Sequence, residues 1–178
     1  AMWGPPTSNL PLRGGKGWIY EGGIREPFIV RWPGVTKAGS VCSEPVMSTD
    51  FFPTFAQAAG EKPKGSGPID GVDLMPLLKG GENLKREALY WHYPHYSNQG
   101  GFPSGAIRMG KWKMIERYED GQTHLYDLSK DVGEHEDLSK VHPEQVAKMR
   151  KKLHQWYEEV DAKFLQPKGK EGKKPWRP

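Results

Sequence analysis

Glycines surround a single lysine near the start of the sequence. The lysine lies in the segment Arg13-Gly14-Gly15-Lys16-Gly17-Trp18, which is followed closely by Tyr20-Glu21-Gly22-Gly23-Ile24-Arg25-Glu26-Pro27. Glycine lets the backbone approach a ligand closely, and a lysine ammonium is a compact charge that suits an oxyanion such as sulfate or phosphate. On chemistry alone, however, an exposed surface lysine is the more common meaning of such a pattern.

Two histidines, His92 and His95, lie three residues apart among the aromatic residues Tyr90, Trp91, Tyr93 and Tyr96. Two imidazoles at this spacing can share a metal ion on a helix, but the intervening Pro94 disfavours a helix and no third ligand lies nearby. Aromatic rings with imidazole donors also suit a sugar or aryl ligand, and a half-buried aromatic cluster explains the same residues. All three interpretations stay open.

Other motifs indicate structure rather than chemistry. The sequence contains neither a phosphate-binding P-loop nor a serine nucleophile elbow. Asp127, Ser129 and Asp131 imitate the start of a calcium loop, but Val132 and Leu138 occupy positions that the loop needs for glycine and glutamate, so we expect a turn. Asp70 and Asp73 predict a turn and a helix cap.

Composition excludes several classes of protein. The 178 residues include 22 glycines and 16 prolines but one cysteine, Cys42, which excludes an internal disulfide and a cysteine-rich zinc site. The net charge of +4 lies in residues 166–178, a stretch broken by glycine and proline, which predicts a flexible basic tail and no nucleic-acid partner. No apolar run approaches the ~18 residues of a membrane span.

The first half of the sequence predicts short elements joined by loops. Residues 1–23 predict an extended loop, because glycine and proline are frequent there. The apolar run Phe28-Ile29-Val30 predicts a buried strand that ends at Trp32-Pro33-Gly34, and residues 41–46 predict a second strand. We expect a helix over 51–59, capped by Ser48-Thr49-Asp50 and ended by Gly60, and one short helical turn over 73–78, ended by Gly80-Gly81.

The second half predicts a small antiparallel sheet and one long helix. Strand-forming residues occupy 87–92, 105–109, 111–119 and 122–127, with turn signals at Gly110 and Asp120-Gly121. Apolar residues spaced three and four apart predict a helix over about 143–164 that covers one face of the sheet: Val146, Met149, Leu153, Trp156, Val160 and Phe164.

The lysine segment also belongs to a longer recognisable pattern. The run from Gly15 to Pro27, followed by Arg31-Trp32-Pro33-Gly34, closely resembles the second signature of the formylglycine-dependent sulfatases, the arylsulfatase family of the alkaline-phosphatase-like superfamily. Further matches follow in the family's order over about residues 8–165: Asp50-Phe51-Phe52-Pro53-Thr54, Asp70-Gly71-Val72-Asp73-Leu74, Ala106-Ile107-Arg108, Gly110-Lys111-Trp112-Lys113 and Leu125-Tyr126-Asp127-Leu128.

The resemblance implies an α/β fold class with an α+β carboxyl-terminal part. Residues 1–82 would close an alkaline-phosphatase-like α/β domain, residues 83–165 would form a small sheet-plus-helix domain, and residues 166–178 would form the tail. Lys16 would be the catalytic lysine that contacts the sulfate ester, with Glu21, Arg25 and Glu26 ordering its loop. His92 and His95 would bind the alcohol part of the substrate.

The resemblance also implies groups that this sequence does not supply. Calcium and formylglycine would serve the full-length enzyme, but the family's calcium carboxylates precede the lysine. Cys42-Ser43-Glu44-Pro45 has the wrong spacing for the formylglycine motif, and Met47 stands where that motif needs arginine after Ser43. We therefore expect the isolated chain to be inactive, with the nucleophile in a missing amino-terminal portion.

Several expectations about partners and alternatives follow. The resemblance implies a sulfated small molecule or glycan as substrate, and a periplasmic, secreted or lysosomal location that the chain itself does not specify. We expect self-association, because the strand over 28–31 would be uncovered. Two alternatives remain: a phosphodiesterase or phosphonate hydrolase of the same superfamily, and a non-catalytic glycan-binding fragment.

Overall fold

The computed structural model describes residues 8–166, which form two compact units. Residues 8–26 and 87–166 make up the first unit, and residues 27–86 make up the second. The helices are α1 (Glu21–Ile24), α2 (Phe51–Ala58), α3 (Met75–Leu78) and α4 (Pro143–Glu159), and a 3₁₀ turn, Ser48–Asp50, precedes α2. The predicted division into domains at residue 82 stays a prediction, and the basic part of the tail lies outside the described residues.

An antiparallel meander forms the centre of the first unit. Its strands are β1 (Leu89–Tyr93), β2 (Ser104–Met109), β3 (Trp112–Arg117) and β4 (Thr123–Asp127), and each pairs with the next along the chain. Gly110 and Gly121 turn the chain between strands with φ of 55° and 71°, which glycine adopts readily. The predicted sheet and its two turn signals are confirmed.

Both faces of the sheet are covered, because successive strand residues point to opposite sides. On one face Ile107, Met114 and Leu125 are buried against Met149 and Leu153 of α4. On the other face a second set of buried residues comes partly from the loop of residues 8–26: Ile19, Tyr20, Ala106, Ile115 and Tyr126. The amino-terminal loop therefore serves as the second layer of this unit.

The helix α4 ends at Glu159, five residues before the predicted end. Asp161 adopts a φ of 50°, and the amide of Ala162 donates to the carbonyl of Tyr157, so the chain turns back after the helix. Phe164 thereby packs against the rings of Tyr118 and Tyr157 without being helical. The helical spacing correctly identified Phe164 as apolar core, but for the wrong reason.

The second unit is organised around the buried carboxylate of Asp50. Its oxygens accept hydrogen bonds from the amides of Met47 (2.7 Å) and Val72 (3.0 Å) and lie 2.6 Å from Nη1 of Arg86. The hydroxyl of Thr54 accepts a hydrogen bond from the amide of Leu74, which fixes α2 beside α3. The predicted helices over 51–59 and 73–78 are confirmed in position, the second as a single turn.

The two strands predicted in the second unit are wrong. Neither residues 28–30 nor residues 41–46 are in strands, and Ile29 and Val41 are each more than 90% exposed. A strand is stabilised by the ladder of a neighbour, and the four strands in the described part of the chain pair only with one another. Among residues 8–166, no helix has the length and apolar character needed to cross a membrane.

Candidate functional site

Lys16 lies on an exposed turn at the tip of the amino-terminal loop. The amide of Gly22 donates to the carbonyl of Arg13 at 2.8 Å and closes the loop at its base. Next to the lysine, Gly17 has a φ of 92°, a conformation that favours glycine. Within the described residues the Lys16 ammonium has neither a hydrogen bond nor an ion pair. It is therefore free to meet an external anion.

The paired glycines Gly22 and Gly23 let the loop fold tightly on itself. A Cβ on Gly23 would lie 2.0 Å from the carbonyl oxygen of Trp18, and one on Gly22 would lie 2.5 Å from that of Arg13. Neither backbone oxygen can yield at such distances, so both positions require glycine. The close approach of the backbone therefore explains why two glycines follow Glu21 in the loop.

The turn that carries Lys16 packs against the segment 97–102, which begins two residues after His95. A Cβ on Gly101 would lie 2.0 Å from the carbonyl oxygen of Gly17, and one on Gly17 would lie 2.5 Å from Oγ of Ser97. A Cβ on Gly100 would likewise lie 2.5 Å from the Trp18 ring. The structure thus brings the lysine turn together with the segment that follows the aromatic, histidine-bearing region.

The two predicted histidines have different surroundings. His95 is exposed and contacts the ring of Tyr93 edge-on, at 5.5 Å between ring centroids. His92 lies 2.7 Å from the hydroxyl of Tyr118 through Nδ1 and 2.8 Å from the carbonyl of Lys163 through Nε2. Burial lowers the pKa of His92. Both nitrogens of His92 are engaged inside the small domain, and the role of either histidine at a substrate stays a prediction.

A buried ion cluster lies behind the lysine loop, and the sequence predicted a role at the loop for only one of its members, Glu21. The Lys113 ammonium lies 3.0 Å from Oε1 of Glu21 and 2.8 Å from Oε1 of Glu134. All three side chains are at most 2% exposed. Burial raises the pKa of Glu134, and the charge of Lys113 opposes that rise. The available signal was a lysine between Trp112 and Met114, on the same strand face as Ile115 two residues later.

Other carboxylates of the predicted motifs bind backbone or side chains locally. Asp73 accepts the amide of Met75, and Asp131 accepts those of His135 and Glu136. Hydrogen bonds from Lys111 and Ser129 lower the pKa of Asp127 to about 2. No three His, Cys, Asp or Glu side chains converge to hold a metal ion anywhere between residues 8 and 166. These residues do not fit a calcium site.

Sequence comparison places these features in a known group. Residues 15–163 match the family described as N-sulphoglucosamine sulphohydrolase, C-terminal. A sulfatase of Formosa agariphila is 36% identical over 167 residues, covering 85% of this chain and 30% of that protein. Human arylsulfatase A is 38% identical over 151 residues, covering 71% of this chain and 28% of the relative. The chain thus spans less than a third of the length of these relatives.

Solved structures share the fold. Ps i-CgsB, crystallised in complex with k-i-k-neocarrahexaose, is 32% identical with a TM-score of 0.71, covering 84% of this chain and 32% of its own. A protein solved with its substrate D-glucosamine-2-N,6-O-disulfate is 32% identical with a TM-score of 0.58, covering 75% of this chain and 27% of its own. A phosphonate monoester hydrolase from Silicibacter pomeroyi, 20% identical with a TM-score of 0.55, shares the fold alone.

Proposed function

Because the chain belongs to the N-sulphoglucosamine sulphohydrolase C-terminal family of sulfatases, we propose that it is the carboxyl-terminal part of an enzyme that hydrolyses sulfate esters. The observation that carries the proposal is the Lys16 ammonium, which has no partner among residues 8–166 and lies on a tightly packed glycine turn inside the region that matches the family. A positive charge on a tightly packed backbone is what a sulfuryl group needs as its oxygens gain negative charge.

Lys16 stabilises the negative charge that develops on the sulfuryl and leaving-group oxygens. A preorganised cation is effective at this task because it does not have to move as charge develops during the reaction. The close backbone packing of Gly17, Gly22 and Gly23 supplies that preorganisation. An ammonium already paired with a carboxylate would lose much of this effect, and Lys16 has no such partner among the described residues.

The alcohol part of the substrate contacts the segment around His95. This ring is exposed and lies two residues before Ser97, which packs against the lysine turn. His92 would have to give up its bonds to Tyr118 and Lys163 before it could bind a substrate, so His95 is the better-placed histidine. Relatives solved with a neocarrahexaose and with a disulfated glucosamine support a sulfated glycan as the substrate class.

The nucleophile and the metal come from outside these residues. The family generally uses formylglycine and a metal ion, which together supply the attacking oxygen and polarise the sulfate. The described residues contain no ligand set for the metal, and Cys42 lies exposed in a sequence that lacks the formylglycine motif. We therefore propose that the 178-residue chain alone does not turn over a sulfate ester. A periplasmic, secreted or lysosomal location stays a prediction.

A matched pair of substrates tests the proposal in the longer protein that carries this chain. A sulfate monoester and a phosphonate monoester of the same aryl alcohol present the same leaving group but different reacting centres. We expect kcat/KM to be higher for the sulfate ester. A higher value for the phosphonate would favour the hydrolase whose fold this chain shares, and binding of sulfated glycan without turnover would favour a glycan-binding protein.

A further inference from the structure

The Glu21–Lys113–Glu134 cluster joins three parts of the chain that are distant in sequence. Glu21 lies in α1 at the base of the lysine loop, Lys113 lies in β3, and Glu134 lies in the loop after β4. Arg108, which is the register partner of Lys113 on β2, lies 3.6 Å from the second oxygen of Glu21. Two cations of the sheet, Arg108 and Lys113, therefore face the single carboxylate of Glu21 from the loop.

Glu134 holds the lysine loop at both of its ends. Its carboxylate accepts the backbone amide of Glu21 at 2.6 Å, and its carbonyl accepts Nη1 of Arg13 at 2.8 Å. The bond between Gly22 and Arg13 closes the loop between these two points. Lys16 lies within the closed segment, three residues after Arg13, so displacement of Glu134 or of its partner Lys113 would move the base of the loop that carries Lys16.

Stability alone explains this cluster poorly. Removing three charged groups from water is costly, and well-packed apolar residues in such a site are often as stabilising as the ions. Glu134 also adopts a φ of 54°, a left-handed conformation that is uncommon for glutamate. What the ions provide, and what apolar groups would not, is a fixed direction and distance between the loop and the sheet.

We propose that Lys113 and Glu134 are positioning residues for Lys16, fixing the loop of residues 13–22 against the sheet through Glu21. This rests on the proposed function for the role of Lys16 at sulfate, while the seating of the loop can be measured without turnover. Neither residue touches substrate. Their effect reaches the sulfate only through the place that they give to the lysine.

Amide hydrogen exchange of the 178-residue chain tests the seating of the loop. We expect Lys113→Met to accelerate exchange at Glu21, Gly22 and Gly23 by about tenfold or more relative to the β2 and β3 amides, because a local opening exposes only the loop. Lys111→Met is the matched control, since Lys111 pairs with Asp127 at 2.7 Å but is 48% exposed. It should leave the loop amides unchanged. Equal acceleration of loop and sheet, or no acceleration of the loop, would overturn the proposal.

Two further measurements decide the case if Lys113→Met does not fold. Glu134→Gln keeps an oxygen for the Glu21 amide and leaves Lys113 paired with Glu21, so we expect a smaller acceleration in the same direction, confined to the loop. In the unaltered chain, the loop amides should exchange within about tenfold of the β3 amides, as members of one cooperative unit. Exchange of the loop more than about a hundredfold faster than β3 would contradict the proposal.

Kinetics of the longer protein separate this inference from the proposed function. Glu134→Gln should lower kcat on a sulfate ester with little change in KM, whereas Lys111→Met should change neither. Equal kinetics for Glu134→Gln and the unaltered protein would overturn the positioning role while leaving the sulfatase assignment intact. Absence of sulfatase activity in the unaltered protein would instead refute the proposed function, and the exchange measurements would still decide whether the cluster seats the loop.

Discussion

At the scale of the residue, Lys16 combines an exposed side chain with a tightly packed backbone. Lys16→Ala in the longer enzyme should lower kcat by about 10²–10³, because one charge-stabilising group is lost in the transition state. The melting temperature should stay nearly constant, since the ammonium has no partner among the described residues. Lys37→Ala, at another exposed lysine, is the control. Equal kinetics for the two variants would reduce Lys16 to a surface residue.

His95 offers a test of substrate specificity. His95→Ala should raise KM for a sulfated oligosaccharide more than for a small aryl sulfate, because only the larger alcohol extends from the lysine turn to the segment that carries His95. Steady-state kinetics on both substrates measure the difference. Equal changes on the two substrates would show that specificity is determined elsewhere.

His92 should make stability depend on pH in a defined direction. Burial lowers its pKa below the ordinary value of 6.5, so between the two pKa values the unfolded chain binds more protons than the folded one. The stabilisation is thus complete above about pH 6.5 and is lost as the pH falls through lower values. Urea midpoints at pH 7.5 and pH 5.5 should differ less for His92→Gln than for the unaltered chain. An identical pH dependence for both would contradict this assignment.

At the scale of the element, Gly105 lets β2 pack beneath α4. A Cβ there would lie 1.8 Å from the hydroxyl of Tyr157, whose bond to the hydroxyl of Tyr118 is 2.8 Å long. Gly105→Ala should therefore destabilise the small domain by about 1–3 kcal/mol through overpacking. Gly67→Ala, with open space around it, should change stability by at most about 0.5 kcal/mol. Denaturant unfolding of both variants gives the comparison, and equal midpoints would refute the packing argument.

The elements that sequence predicts well are those stabilised by near neighbours in the chain. Strands β2, β3 and β4 form hairpins with turns at Gly110 and near Gly121, so each finds its partner within a few residues, and β1 pairs with β2 across the longer loop 94–103. The run Phe28–Val30 has the composition of a strand, but no partner strand lies in the described part of the chain. Composition predicts which secondary structure a segment favours. Whether that structure forms depends on the neighbouring segments that pair with it.

The candidate site was predictable in part for the same reason. Lys16 and its glycines are contiguous, so their pattern is visible in sequence. The cluster behind them combines residues 21, 113 and 134, which meet only when the loop lies on the sheet. Lys113 looks like an ordinary charged residue until the alternation of β3 shows that it points inward, towards the loop, beside Ile115.

At the scale of the whole molecule, exposed aromatic residues in the second unit should cause self-association. Phe28, Phe51 and Phe55 form a continuous group, with ring centroids 5.2 and 6.1 Å apart, and Phe55 is 65% exposed. Contiguous apolar surface of this kind favours association. Light scattering of the 178-residue chain should show oligomers that grow with concentration and decrease in the variant Phe28→Ser/Phe55→Ser, because both side chains are exposed.

The control for this experiment is an isolated exposed apolar residue. Val141 is 66% exposed in the first unit, and Val141→Ser should leave the oligomers unchanged. A strictly monomeric unaltered chain at high concentration would show that the aromatic group drives no association.

The order in which the two units follow one another along the chain limits how such genes can recombine. Residues 8–26 and 87–166 fold together, and the whole of residues 27–86 is inserted between them. A crossover between homologues within the insert would join one parent's lysine loop to the other parent's sheet. Glu21 would then be buried against a sheet that did not evolve with it, unless both parents carry Lys113 and Glu134. A recombinant therefore keeps this cluster when its loop and sheet come from the same parent. The insert can be exchanged as one block without separating them.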